Sequence, residues 1–89
     1  MLILTRENDS RVMNVHMDEQ LMTVELMDGR SLSVPVAWYP RLAAGSPGQR
    51  KNWQPAAAGY GIYWPELDED LSTEGLLQGA KGILPQLPV

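Results

Sequence analysis

The 89-residue chain contains no cysteine and no phenylalanine, and only one histidine, His16. Without thiols it can build neither a disulfide framework nor a thiolate metal site, which fits a reducing compartment. A single imidazole leaves little from which to assemble a nucleophilic triad. No apolar run approaches the ~20 residues of a membrane-spanning helix. The opening Met1-Leu-Ile-Leu-Thr-Arg-Glu lacks the basic and long apolar regions of a signal peptide, so the cytoplasm is the default location. A glycine-rich phosphate loop is also missing. Gly59-x-Gly61 has neither the third glycine nor the opening helix of a dinucleotide fingerprint, and no cofactor is expected.

Acidic charge is absent from one long stretch. Between Gly29 and Pro65 the only charged residues are Arg30, Arg41, Arg50 and Lys51, and five acids then follow between Glu66 and Glu74. The net charge of −4 argues against direct nucleic-acid binding, which depends on neutralising phosphates. In so small a domain the two charged stretches are expected to meet. Arg41, in Pro40-Arg41-Leu42, is expected to pair with Asp68 or Asp70, since a guanidinium can clamp a carboxylate with two parallel bonds. The competing reading is a basic face for an acidic partner.

The remaining pattern predicts one small α+β domain over residues 11–79, with a loose arm at 1–10, able to add an edge strand, and a disordered tail at 80–89. From Arg11 the alternation is that of a half-buried strand, with Met13, Val15 and Met17 on one face and Asn14 and His16 on the other. Asp18-Glu19-Gln20 turns the chain, and Met22, Val24 and Leu26 resume the apolar face. This places Met17, Val15 and Met13 opposite Met22, Val24 and Leu26. Parity rejects a two-residue turn at Asp28-Gly29. A three-residue loop with a left-handed Gly29 sets Val24 opposite Leu32 and Met22 opposite Val34, completing a three-stranded antiparallel meander that stops at Pro35. Short helices follow, one over about Tyr39–Ala44 closed by Gly45. The next opens with Ser46-Pro47-Gly48-Gln49, which carries a capping-box pattern, and ends by Trp53. A further short strand is expected at Gly61–Trp64, and a last short helix after Ser72, stopped by Gly79.

Candidate chemistry gathers in few places. Asp68, Glu69 and Asp70 could serve a metal-dependent or acid–base enzyme. Their spacing, however, lacks the glycine and distal glutamate of a calcium loop, and the plainer reading is solvated acids ahead of a helix. His16 falls on the outer face of its strand. Trp38 and Trp64 read as core, whereas Trp53 is open between core and interface. Aromatic and arginine side chains dominate binding hot spots. The interaction candidates are therefore Arg41, Arg50, Trp53, Trp64, Asp68, Glu69 and Asp70.

Three segments together carry a family resemblance. They are Asp28-Gly-Arg-Ser-Leu-Ser-Val-Pro-Val-Ala-Trp-Tyr-Pro-Arg-Leu42, Arg50-Lys-Asn-Trp53, and Gly61-Ile-Tyr-Trp-Pro-Glu-Leu-Asp-Glu-Asp-Leu-Ser-Thr-Glu-Gly-Leu-Leu77. The chain resembles the small bacterial family catalogued as domain of unknown function 2442, departing from it with Tyr39 where Phe is usual and Tyr63 where His is usual. The resemblance implies a small α+β domain, sometimes fused to a helix-turn-helix DNA-binding domain. It also implies a gene often placed beside that of another small protein, as in toxin–antitoxin pairs. It carries over no catalytic residue. The expected function is a non-enzymatic interaction or regulatory module, antitoxin-like, with a protein partner from the neighbouring gene. The alternatives are the carboxylate enzyme, an accessory domain of a DNA-binding regulator, and a nucleic-acid binder using Arg30, Arg41, Arg50 and Lys51. Self-association is left open.

Overall fold

A computed structural model describes residues 8–79. The expected arm lies outside the described residues as far as Glu7, and the expected tail at 80–89 lies wholly outside them. The first sheet follows from the alternating sequence. Strands β1 (Val12–Met17), β2 (Leu21–Leu26) and β3 (Ser31–Pro35) pair antiparallel in that order. Asp18 closes the first turn, its Oδ1 accepting the amides of Gln20 and Leu21 at 2.7 and 2.8 Å. In the second turn Leu26 N–H donates to Arg30 O at 2.8 Å across Met27-Asp28-Gly29, and Gly29 is left-handed at φ 96°. Val24 therefore faces Leu32 and Met22 faces Val34, as the parity argument requires.

The register of β1 departs from simple alternation at one point. Val15 and Met17 sit opposite Val24 and Met22 as expected, but Leu26 is faced by Val12 instead of Met13. A bulge between Val12 and Asn14 leaves Met13 outside and buries Val12. The extra residue brings Arg11 O to the Met27 amide at 2.9 Å. It also lets the Asp28 carboxylate take the Asp9 amide at 2.8 Å, besides the Arg30 amide and Nε. Tertiary bonds from the Asp28 loop thus outweigh the period of the strand.

A 3₁₀ turn at Val36–Trp38 leads into α1 (Pro40–Ala43), shorter than the predicted helix. Gly45 follows without left-handed geometry. Its role is space, because a Cβ there would lie 2.8 Å from Leu67 Cδ1. Helix α2 (Pro47–Lys51) opens with both halves of the capping box, Gln49 N–H on Ser46 Oγ and Ser46 N–H on Gln49 Oε1.

Beyond α2 the predicted single strand proves to be the middle of a second antiparallel sheet. Strand β4 (Gln54–Ala56) and strand β6 (Glu69–Ser72) flank β5 (Gly61–Trp64). Pro55 hides β4 from a reading by pattern, yet a proline is tolerated on an edge strand. The acids hide β6, since Glu and Asp are depleted in strands. Ile62 and Leu71 face one another across the pair, as do Trp64 and Glu69. Helix α3 (Thr73–Leu77) is shorter than expected, with Ser72 Oγ accepting the Gly75 amide and Gly79 left-handed beyond it.

One core joins the two sheets. Met22, Val24 and Leu26 of β2, Ile62 and Trp64 of β5, and Tyr39 and Leu42 all belong to it and are fully buried. Trp38, Trp53 and Leu67 are partly buried against it.

Candidate functional site

The acidic stretch forms a turn. Pro65-Glu66-Leu67-Asp68 connects β5 to β6, with Asp68 left-handed at φ 52°, a conformation in which Asp is enriched among non-glycine residues. Arg41 Nη1 donates to the main-chain carbonyl of Asp68 at 2.5 Å, and its nearest approach to the Asp68 carboxylate is 3.9 Å. Arg41 therefore meets Asp68 as expected, but through the main-chain carbonyl and not by the expected two-bond clamp on a carboxylate, and the Asp68 side chain is 90% exposed. Asn52 Nδ2 donates to Glu66 Oε2 at 2.7 Å, a second tie to the same turn.

The three candidate carboxylates, Asp68 in the turn and Glu69 and Asp70 on β6, differ in exposure. Glu69 is buried, its Oε2 accepting the Asp70 amide, whereas Asp68 and Asp70 are exposed. Burial pushes the Glu69 carboxyl above its ordinary range, partly opposed by its hydrogen bond with the Asp70 amide and by Arg41. The Tyr39 hydroxyl is also raised, first by burial and then by the charge of Glu69. Among the described residues, no group of three or more His, Asp or Glu side chains is arranged to hold a metal ion.

Arg50, Trp53 and Trp64 come together around α2. Arg50 Nε and Nη2 donate to the carbonyls of Leu42 and Ala43 at 2.8 and 2.9 Å, tying α2 to the end of α1. Trp64 is fully buried, and its indole N–H donates to Arg50 O at 3.0 Å. Trp53, half-buried, forms part of a surface groove of about 400 Å³. One side of the groove is β1 from Val15 to Met17, continued by Asp18 and Glu19; the other is Pro47, Arg50, Lys51 and Trp53.

The phase of the first hairpin determines what β1 presents there. Asp18 N–H bonds to Leu21 O, and antiparallel pairs alternate between closely bonded and unbonded. His16 and Asn14 therefore direct their main-chain groups to β2, and Val15 and Met17 direct theirs away from it. β1 is the outer strand of its sheet, so among the described residues these groups are unpaired. His16 itself is surface-exposed, with Nε2 2.9 Å from Glu25 Oε2. Arg50 and Trp53 were among the predicted interaction candidates, whereas the edge of β1 and its approach to α2 were absent from the predicted site. Position at the end of a meander exposes an edge strand in principle, but no local pattern in the sequence brings α2 beside it.

Two three-stranded meanders around a common core, linked and closed by short helices, make a small α+β domain with an open groove at one sheet edge. The chain belongs to the protein family of unknown function DUF2442, whose model matches residues 12–82. It is similar to a protein of unknown function from Rhodospirillum rubrum, with a TM-score of 0.70 and 30% identity, covering 81% of this chain and 89% of that one. It is likewise similar to an uncharacterized protein from Chromobacterium violaceum, with a TM-score of 0.70 and 26% identity, covering 81% and 68%. No curated protein matches the chain. Among the described residues, no helix is long and apolar enough to cross a membrane.

Proposed function

We propose that this domain is a non-enzymatic interaction module that receives an extended segment of a protein partner against β1. In the two-protein arrangement that the family resemblance implies, it would be the antitoxin-like member. One observation carries the reading: the main-chain groups of Val15 and Met17 are unpaired among the described residues, and both residues line a groove together with Trp53 and α2. An exposed strand edge is a template for another strand. In strand addition, main-chain bonds supply affinity and pockets for alternate side chains supply selectivity. Trp53 offers the broad, half-buried surface typical of a binding anchor.

Selection of peptides from a random display library, followed by amide-exchange mapping on the full chain, tests this function. Enriched peptides are expected to slow exchange at Val15 and Met17 and to leave β3 unchanged. Ligands that protect other strands and spare β1 would remove the proposal.

A further inference from the structure

Resting on that strand addition, we infer that the occupant is an extended segment with an apolar side chain toward Trp53 and a carboxylate beside Arg50 and Lys51. The main-chain groups of Val15 and Met17 recur every second residue, the repeat with which an added strand directs its own amides and carbonyls. Side chains of such a strand alternate in direction, so one set enters the groove. There Val15, Met17, Pro47 and Trp53 offer apolar contact.

Charge selects among apolar segments. Arg50 spends two donors on the carbonyls of Leu42 and Ala43, which orients the guanidinium without neutralising it. Lys51 is exposed at the end of α2. The ion pairs found among the described residues involve Arg11, Arg30 and Arg41, and among those residues neither cation of the groove is matched by a carboxylate. Asp18 and Glu19 hold the end of the groove at the hairpin turn, and the Asp18 carboxylate is bound to the amides of Gln20 and Leu21. The groove is thus cationic along α2 and anionic at the turn. An acid on the ligand is favoured on the α2 side and repelled at the turn.

A synthetic peptide alternating valine and threonine, with aspartate and glutamate at one end, probes both levels. Its controls are the asparagine–glutamine counterpart and an acidic version N-methylated at alternate residues. Titrations use the full chain and Lys51→Glu, which alters an exposed residue and leaves the bonds of Arg50 in place. The acidic peptide is expected to bind the full chain about tenfold more tightly than its amide counterpart, an advantage that shrinks as salt rises. Lys51→Glu should erase that difference, and N-methylation should abolish binding to both proteins. Equal binding of acidic and amide peptides, with the N-methylated one still inactive, overturns the charge selection and leaves strand addition standing. Binding that survives N-methylation overturns both. Protection of the Val15 and Met17 amides before any peptide is added, with or without dimerisation in sedimentation, shows that the chain itself occupies the edge and also overturns both.

Discussion

At the scale of single residues, Glu69 is an acid that the fold takes out of water. Its carboxyl is buried on β6 opposite Trp64, and burial raises its pKa from the usual 4.5. A group whose pKa rises on folding contributes stability that is complete below its unfolded value. That contribution is lost as pH climbs through the folded value. Replacement by the neutral amide in Glu69→Gln is therefore expected to raise the urea midpoint at pH 7. At about pH 4, where both side chains are uncharged, the midpoints should converge. A midpoint lowered at pH 7 and restored toward pH 4 would mean that the carboxylate is held by partners stronger than the Asp70 amide and Arg41. The turn carboxylates run the other way. Asp9 is lowered to about 2 by Arg11, Asp28 is lowered by Arg30, and Asp18 is lowered by the Leu21 and Gln20 amides. Their contribution is present above the unfolded carboxylate range and fades as pH falls through the folded values.

At the scale of elements, the β5–β6 hairpin and α1 are joined by Arg41. Since its short bond goes to the main chain of Asp68, removal of the Asp68 side chain leaves that bond in place. Arg41→Ala is expected to cost about 1 kcal/mol, the usual net worth of one hydrogen bond. Its coupling to Asp68→Ala in a double-mutant cycle should stay under about 0.5 kcal/mol, as for exposed ion pairs. Coupling well above 1 kcal/mol would place the carboxylate, not the carbonyl, at the centre of the junction. This junction was legible in the sequence as opposite charge on two neighbouring stretches, but its backbone character was not. The first sheet was legible almost throughout, because alternation, Asp18 and Gly29 all point to one register. Only the bulge at Met13 escaped, since it answers to Asp9 and Asp28 and not to the strand. β4 and β6 escaped for a local reason: Pro55 and three consecutive acids obscure strands that exist by pairing with β5. Of the groove, Arg50 and Trp53 were visible as residue types. Their approach to β1 depends on how α2 packs, which no spacing encodes.

At the scale of the whole molecule, two sheets share one core although neither exchanges a strand with the other. Each is ordered as the chain runs, β1-β2-β3 and β4-β5-β6. Every strand pair is therefore closed by a short connection, and only the meeting of the sheets requires distant parts of the chain to find one another. The consequence is kinetic. Chains dominated by local pairing fold quickly, and this one is expected to refold in about milliseconds, with the first sheet leading because Asp18 and Gly29 preset its two turns. In stopped-flow measurements Val24→Ala, at the centre of β2, should act mainly by slowing refolding, and Leu76→Ala, in α3, mainly by hastening unfolding. The reverse partition would put the nucleus in the second sheet. With the first sheet formed early, the strand addition proposed for β1 would have its template in place while the rest of the chain is still assembling, before the core is closed.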